Sequence, residues 1–255
     1  MTHNISILGC GWLGAALAEA FVKQGWQVRG STRSAQTAPQ LDGLTHFVVD
    51  IGAKAPIDQA FLAAETLIIA IPTKEISAFK GFIAQLEPSD VKQVLFISST
   101  SVYPLTNDIV TEETATTASV RADIEQLFLS NSHFTTTVLR FGGLFGYKRQ
   151  PGNFFKPGRI IDHPEGYVNM IHRDDCIGII LEMLRQNCWG EVLNACADTH
   201  PTRRDFYSLA AAKVGRSDLR FNEEAENHYK IVSSQKLKVL LGYEFKYGDL
   251  MVSLG

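Results

Sequence analysis

The sequence predicts an α/β fold in which helices cover both faces of a doubly wound parallel sheet, followed by a small C-terminal lobe. In the first half of the chain, short β-rich runs alternate with segments whose apolar residues recur at helical spacing. Such alternation is typical of β-α-β units, which build parallel sheets. A glycine motif joins the first β-rich run to the first helical segment. The alternation ends near Gly142, where a loop-rich region begins.

The predicted elements follow one another in a regular order. Strands of the first half are predicted at residues 5–8, 26–31, 47–49, 66–71, 94–97 and 136–139. Helices are predicted at residues 12–23, 117–130, 174–184 and 201–214, with a further strand at residues 192–194. That strand would rejoin the sheet, so we predict a first domain at residues 1–145, completed by about residues 168–197. Residues 146–167 and 198–255 would form the small lobe.

Composition and charge limit the kinds of partner. The 255 residues are 45% hydrophobic and 20% charged, with a formal net charge of −3. These values are typical of a soluble globular protein and do not favour nucleic acid as a partner. No run approaches the roughly 20 apolar residues of a membrane span, and the N-terminus lacks signal-peptide features. We therefore expect a cytoplasmic protein with no membrane partner.

The four cysteines do not predict a metal site. They form no C-x-x-C pair, and no histidine lies at ligand spacing from them. We expect reduced thiols and no disulfide framework. The cysteines are Cys10, Cys176, Cys188 and Cys196.

The glycine motif after the first strand reads Gly-Cys-Gly-Trp-Leu-Gly, a G-x-G-x-x-G pattern. It follows a buried strand and opens an amphipathic helix, which is the context in which this pattern binds a dinucleotide. Gly9 permits a tight turn, Gly11 lets the backbone approach a pyrophosphate, and Gly14 lets helix and strand pack closely. The helix N-terminus would then face the phosphates. The sequence therefore predicts a Rossmann domain, and the predicted cofactor-binding residues of the motif are Gly9, Gly11, Trp12, Leu13 and Gly14.

The end of the second strand bears on the choice of cofactor. An NAD site usually places Asp or Glu there, bonded to the adenosine ribose, whereas residues 29–34 read Arg-Gly-Ser-Thr-Arg-Ser. Ser31, Thr32 and Arg33 could donate to a 2′-phosphate, with Arg33 as the charged clamp. We predict NADP(H), with NAD as the alternative if Arg33 is only a solvated surface residue.

Three further segments carry a family resemblance. They are Ile-Ser-Ser-Thr-Ser-Val-Tyr at residues 97–103, Leu-Arg-Phe-Gly-Gly-Leu-Phe-Gly at 139–146, and Val-Asn-Met-Ile-His-Arg-Asp-Asp at 168–175. In this order, after a glycine motif, they resemble the extended short-chain dehydrogenase/reductases, the NAD-dependent epimerase/dehydratase family. The glycine motif and the loop at residues 151–155 are similar to its atypical YeeZ-like branch.

The resemblance extends the predicted cofactor site. Asp50 and Ile51, after the third strand, match the adenine-contacting pair of the family. Ile71 and Pro72, at the end of the fourth strand, complete the predicted set.

The resemblance also implies a catalytic Ser or Thr, a Tyr that acts as general acid and base, and a Lys that lowers the pKa of the Tyr. Ser99 matches the first of these. When the family's Y-x-x-x-K pattern is anchored on Glu125, Thr117 stands at the Tyr position and Arg121 at the Lys position. Thr117 cannot replace a phenol, while Arg121 can still bind ribose but stays protonated. Cofactor binding is thus expected to persist without the usual acid/base pair.

Another residue would have to donate the proton. Tyr103 follows the fifth strand, at the sheet edge where such folds bind ligands, although it could instead pack within its loop. Tyr147 is a second candidate, and His172 titrates in a suitable range but is expected to hold a loop in place. The predicted catalytic residues are Ser99, Arg121 and Tyr103.

The region after the sixth strand closes over the substrate in the resembling family. The predicted substrate residues are Arg140, Gly143, Asn153, Phe154 and Arg159. Basic and aromatic side chains there would suit an anionic or ring-bearing small molecule, although Arg149 and Arg159 could equally be solvated loop residues.

Two functions remain open from the sequence. One is an NADP(H)-dependent oxidoreductase or epimerase/dehydratase acting on a sugar-nucleotide-like or small carbonyl substrate. The other is a non-catalytic NADP(H)-binding sensor that has lost the Tyr/Lys pair. The family often dimerises through a pair of helices, and the helix predicted at residues 117–130 would suit a homodimer.

Overall fold

The computed structural model describes residues 3–53 and 55–254. Its strands, in chain order, are β1 (Asn4–Leu8), β2 (Gln27–Thr32), β3 (Leu44–Val48), β4 (Thr66–Ile69), β5 (Gln93–Ser99), β6 (Ile109–Val110), β7 (Thr135–Phe141), β8 (Gly143–Phe145), β9 (Ile160–Ile161), β10 (Met170–His172), β11 (Val192–Ala195), β12 (Arg220–Phe221) and β13 (Ile231–Val232). Its α-helices are α1 (Gly14–Lys23), α2 (Gln59–Leu62), α3 (Ile76–Leu86), α4 (Val120–Leu129), α5 (Arg173–Arg185), α6 (Arg203–Lys213) and α7 (Gln235–Leu241).

Seven strands form the main sheet, in the order β11-β7-β5-β4-β1-β2-β3. The neighbours of β1 are both parallel to it, and so are the pairs β2–β3 and β4–β5. The chain runs outwards from β1 to β3 on one side and from β4 through β5 to β7 on the other. The predicted doubly wound parallel sheet is confirmed, and its order reverses between β1 and β4, where such sheets bind ligands.

The chain divides into two compact units. The first comprises the described residues of 1–98, 118–139 and 183–192, and the second those of 99–117, 140–182 and 193–255. The domain boundary predicted at residue 145 falls inside the second unit, because residues 99–117 and 140–145 pack there.

Each unit has its own apolar core. The first unit is centred on aromatic side chains of β5, α3 and α4, among them Phe79, Phe96 and Phe128, whose rings contact one another. Among the described residues of the second unit, one smaller cluster surrounds Phe145 and Phe206, and another surrounds Val102 and Val232. Three two-stranded parallel pairs, β8–β10, β9–β12 and β6–β13, supplement these smaller cores.

Helix α4 begins later than predicted. Ser119 is extended, with φ of −156°, and its Oγ accepts a hydrogen bond from the Ala122 backbone N–H at 3.3 Å, so it caps the helix that starts at Val120. Thr117, predicted as the first helical residue, precedes the helix, and its hydroxyl donates to the Val102 carbonyl oxygen at 3.0 Å. The Tyr position of the family pattern is therefore occupied by a residue outside the helix.

None of the helices among these described residues combines the length and the apolar character that crossing a membrane requires.

Candidate functional site

Each of the three glycines of the motif has a different steric environment. Gly9 has φ of +101°, and a Cβ there would lie 2.5 Å from Ile71 Cγ2, so only glycine fits the turn after β1. A Cβ on Gly14 would overlap the Gly9 carbonyl oxygen. A Cβ on Gly11 would meet no atom within 4 Å, so its backbone faces open space. This geometry suits the close approach of a phosphate at Gly11.

A pocket of about 430 Å³ opens beside this turn, and we call it the glycine-loop pocket. It is lined by residues at or after the ends of β1, β2, β3 and β4 in the first unit. They are Leu8, Gly9, Cys10, Gly11, Ser31, Thr32, Arg33, Ser34, Thr37, Val49, Asp50, Ile51, Ala70, Ile71, Pro72 and Thr73. Nine predicted cofactor residues are among them, whereas Trp12, Leu13, Gly14 and Arg121 are not. Arg121 lies half-buried in the first turn of α4.

Cys10 was not predicted to take part in this pocket. Its backbone N–H donates to the Ser31 carbonyl oxygen at 2.7 Å, and its thiol is buried. Burial raises the pKa of Cys10 to about 11, so the thiol stays neutral near the pocket. A Cβ at Gly30 would lie 2.5 Å from Cys10 Sγ, so glycine at that position makes room for the thiol.

Two hydroxyl groups at the end of β2 are already used within the protein. Ser31 is buried, and its Oγ accepts from the Gly9 N–H and donates to the Ile7 carbonyl oxygen, both at 3.3 Å. Thr32 Oγ1 donates to the Ser34 carbonyl oxygen at 2.7 Å. Both residues line the pocket, and donation from their hydroxyls to a 2′-phosphate stays a prediction. Arg33 remains the exposed cation at this edge of the pocket.

Other hydroxyls lie next to Arg33. Ser34 and Thr37 line the same pocket, and Thr37 Oγ1 donates to the Ser34 carbonyl oxygen at 3.0 Å. Asp50 is exposed on the pocket wall, where its Oδ1 accepts from the Gly52 N–H at 3.0 Å. This edge of the pocket is thus lined by Arg33 and polar groups of the following 3₁₀ turn.

A second pocket, of about 330 Å³, belongs to the second unit, and we call it the Ser99 pocket. Its lining residues come from several separated segments. They are Ser99, Thr100, Ser101, Leu105, Gly143, Tyr167, Val168, Asn169, Met170, Arg203, Tyr207, Tyr229 and Lys230. Of the residues predicted to be catalytic or to contact substrate, it contains Ser99 and Gly143. Ser99 Oγ accepts a hydrogen bond from the Ser101 N–H at 3.2 Å.

Tyr103 and Arg140 are buried against each other. The Tyr103 hydroxyl accepts from Arg140 Nη1 at 2.6 Å and donates to Asn194 Oδ1 at 2.9 Å. Burial raises the pKa of Tyr103. Neither residue lines the glycine-loop pocket or the Ser99 pocket, and the catalytic role of Tyr103 and the substrate contact of Arg140 stay predictions.

His172 also has a structural environment. Its ring lies 3.8 Å, centroid to centroid, from the ring of Tyr247, and its Nδ1 accepts from the Asp174 N–H at 3.2 Å. Burial lowers its pKa. Asp175 is fully buried beside it and accepts hydrogen bonds from the Tyr243 hydroxyl and from the backbone of Lys246 and Tyr247. This arrangement corresponds to the expected role of holding a loop.

The loop residues predicted to contact substrate lie outside both pockets. Asn153, Phe154 and Arg159 are exposed, and the Arg149 guanidinium carbon lies 5.8 Å from the centroid of the Phe154 ring. The cationic and aromatic side chains that do line the Ser99 pocket were missed, because they follow no contiguous pattern in the sequence. Across residues 3–53 and 55–254, no group of three or more His, Cys, Asp or Glu side chains could hold a metal ion.

The fold of this chain is similar to that of several solved structures. UDP-glucuronic acid 4-epimerase from Bacillus cereus, in complex with UDP-glucuronic acid and NAD, matches with a TM-score of 0.80 at 19% identity, over 98% of this chain and 96% of that one. A putative NAD-dependent epimerase/dehydratase from Methylobacillus flagellatus matches with a TM-score of 0.75 at 23% identity, over 99% and 96%. Residues 4–101 match the family described as NADP oxidoreductase, coenzyme F420-dependent.

At the level of sequence, the chain is similar to protein YeeZ of Escherichia coli (strain K12). The two are 28% identical over 269 residues, which cover 98% of each. The resemblance predicted from the motifs, including the YeeZ-like branch, is confirmed.

Proposed function

We propose that this protein binds NADP(H) in the glycine-loop pocket and catalyses an oxidoreductase or epimerase/dehydratase reaction on a small molecule bound beside Ser99. The open face of Gly11, within a turn that tolerates no side chain at Gly9 or Gly14, carries the cofactor part of this proposal. A dinucleotide fits these residues because Gly11 leaves room for a pyrophosphate. The NAD in the Bacillus cereus epimerase supports the cofactor class.

The preference for NADP(H) depends on Arg33. It is exposed at the pocket edge, and β2 ends without a carboxylate that would repel a 2′-phosphate. A charge-assisted hydrogen bond contributes about 1.5–3 kcal/mol, which corresponds to roughly 10- to 150-fold in affinity. NAD remains the alternative cofactor.

On the substrate side, Ser99 is proposed to orient the reacting oxygen. Its Oγ already accepts from Ser101, and its hydroxyl proton can still donate to a carbonyl or hydroxyl oxygen of the substrate. The cofactor, when bound, would supply or accept a hydride. Arg121 is proposed to hold a ribose hydroxyl, as its match to the family Lys position implies.

Calorimetry with NADPH and NADH tests the cofactor proposal. We expect NADPH to bind more tightly, and Arg33→Ala to weaken NADPH at least tenfold with less than a twofold effect on NADH. Arg220→Ala is a matched control, since Arg220 is exposed in the second unit and should leave both affinities unchanged. Equal affinities for the two cofactors in the unaltered protein would reject the NADP preference.

A non-catalytic NADP(H)-binding sensor is the second candidate, and Thr117 and Arg121 at the Tyr and Lys positions favour it. A panel of nucleotide sugars and small carbonyl compounds, incubated with NADPH or NADP⁺, separates the two functions. We expect turnover that falls about 100-fold in Ser99→Ala, the lower range for a group acting on the reacting oxygen. Saturable cofactor binding without turnover of any compound would favour the sensor.

A further inference from the structure

The Ser99 pocket has an unbalanced charge. Two cationic side chains, Arg203 and Lys230, line it, and no carboxylate occurs among its lining residues in the described part of the chain. Arg203 opens α6, and Lys230 directly precedes β13. Two cations that share a partly buried pocket without an anion repel each other, so an anionic ligand would relieve this repulsion.

Lys230 is held firmly in place. Asn169 donates from Nδ2 to the Lys230 carbonyl oxygen at 2.8 Å and accepts from the Val232 N–H at 2.7 Å, which fixes the backbone on both sides of Ile231. Lys230 Nζ donates to the Tyr103 carbonyl oxygen at 2.6 Å. An ammonium group has three protons, so two remain for a ligand.

The charged and titratable groups around Lys230 leave its ammonium group available for an anionic ligand. Burial, and then the charge of Arg203, lower the pKa of Lys230. Cys196, the other titratable group that acts on it, is fully buried, and its pKa is raised to about 12, so it stays a neutral thiol. Lys230 therefore lacks a counter-charge from the groups that influence it.

Arg203 contributes its side chain rather than a helix N-terminus. The backbone N–H groups of Arg203 and Arg204 already donate to the carbonyl oxygens of Gly166 and Pro164, at 2.8 and 2.9 Å. The Arg203 guanidinium donates to the Asp162 carbonyl oxygen at a long 3.4 Å. Most of its donors can therefore serve a planar oxyanion, which a guanidinium binds with two parallel hydrogen bonds.

We propose that the substrate of this pocket is an acid whose carboxylate or phosphate group binds to Lys230 and Arg203, while Ser99 binds its reacting oxygen. The inference rests on the proposed function, because it names the substrate class of the same site. The faces of Tyr167 and Tyr229, whose rings meet edge to face at 4.8 Å, would border the carbon skeleton of the substrate.

Calorimetry of anion binding to the NADP⁺-saturated protein tests this proposal. Saturation with NADP⁺ prevents the probe anions from binding at the glycine-loop pocket. Inorganic phosphate and malonate are the two probes, and the preferred one identifies the acid as a phosphate or a carboxylate. We expect saturable binding of at least one, weakened at least tenfold by Lys230→Met and by Arg203→Gln.

Matched controls separate the pocket from general surface charge. Lys156→Met and Arg220→Gln alter exposed cations of the same unit and should change binding by less than twofold. Lys230→Arg should retain most of the anion affinity. If it does, the loss of affinity in Lys230→Met comes from the missing charge and not from misfolding. Equal weakening by the pocket and control variants, or no saturable binding of either anion, would overturn the proposal.

Proton uptake gives an independent readout. A bound anion favours the charged form of Lys230 and raises its pKa, so binding at alkaline pH should take up protons, as measured in buffers of different ionisation enthalpy. Lys230→Met should abolish this uptake, and uptake that persists in the variant would contradict the role of Lys230. NADPH affinity, measured on the same samples, keeps the outcomes apart. If NADPH does not bind, the cofactor proposal is rejected. The anion titration is then run on the protein alone, where the comparison of Lys230→Met and Arg203→Gln with the two control variants still decides the present proposal.

Discussion

The two pockets of this protein are built in different ways. The glycine-loop pocket consists mainly of backbone and short side chains at the ends of β1 to β4, and its glycine motif is contiguous in the sequence. The Ser99 pocket is lined by long polar and aromatic side chains from segments far apart in the chain, among them Tyr167, Arg203 and Lys230. A contiguous motif can therefore predict the first pocket, whereas only the folded chain assembles the second.

The two pockets also differ in the interactions that fix the loops around them. At the glycine loop, steric exclusion around Gly9 and Gly14 fixes the turn. In the second unit, buried polar side chains hold the loops, such as Asp175 and the Tyr103–Arg140 pair. If this contrast is correct, the loss of one buried polar group should strongly destabilise the second unit. The addition of one methyl group should destabilise the first.

The largest effect is expected for Asp175→Ala. Asp175 is fully buried and accepts hydrogen bonds from the Tyr243 hydroxyl and from the Lys246 and Tyr247 N–H groups, at 2.8–3.0 Å. Removing the carboxylate leaves these donors unsatisfied, and we expect the free energy of unfolding to fall by about 3 kcal/mol or more. Urea denaturation measures this loss.

The matched control for that variant is Asp218→Ala. Asp218 is exposed and forms an ion pair with Arg216, and we expect Asp218→Ala to lower the free energy of unfolding much less than Asp175→Ala does. If Asp175→Ala and Asp218→Ala lower the free energy of unfolding equally, buried polar groups are not what stabilises the second unit.

Gly14→Ala should have the next largest effect. Alanine favours helices over glycine by about 1 kcal/mol, so propensity alone predicts stabilisation of α1. The added Cβ would instead overlap the backbone of Gly9, and overpacking of this kind costs about 1–3 kcal/mol. We therefore expect net destabilisation in thermal unfolding, together with loss of NADPH binding.

Gly11→Ala provides the comparison within the same loop. Its Cβ would enter open space, so the free energy of unfolding should change by less than about 0.5 kcal/mol. NADPH affinity should nevertheless fall, because the methyl group occupies the position proposed for the pyrophosphate. Unchanged NADPH affinity in Gly11→Ala would contradict the placement of the cofactor.

These variants also show how far the sequence could predict the molecule. The parallel sheet and the glycine turn follow from short-range patterns, in which buried strands alternate with amphipathic helices. Helix α4 begins at Val120 rather than at residue 117, because Ser119, a preferred capping residue type, is extended and caps the helix. Lys230 could not be predicted at all, since Asn169 and the Tyr103 carbonyl, far from it in sequence, position it.

Tyr103→Phe distinguishes the structural role of Tyr103 from the predicted catalytic one. Loss of the hydroxyl leaves the buried Arg140 and Asn194 each without one partner, and we expect a cost of about 1–2 kcal/mol in urea denaturation. Cofactor affinity should stay the same. If Tyr103→Phe keeps the stability of the natural chain but no longer turns over a compound that the natural chain converts, Tyr103 is the proton donor.

The smallest effect is expected from pH. Burial holds the pKa of His172, and likewise that of His200, below the ordinary value of 6.5. As the pH falls below 6.5, the unfolded chain binds protons before the folded chain does, so the free energy of unfolding decreases; above 6.5 this contribution is fully present. Denaturation at pH 8 and at pH 5.5 should show that His172→Gln loses less stability on acidification than the natural chain.

His133→Gln alters an exposed histidine of the first unit and should lose as much stability on acidification as the natural chain. If His172→Gln loses as much as well, the histidine packed against Tyr247 does not contribute to the acid sensitivity of the second unit.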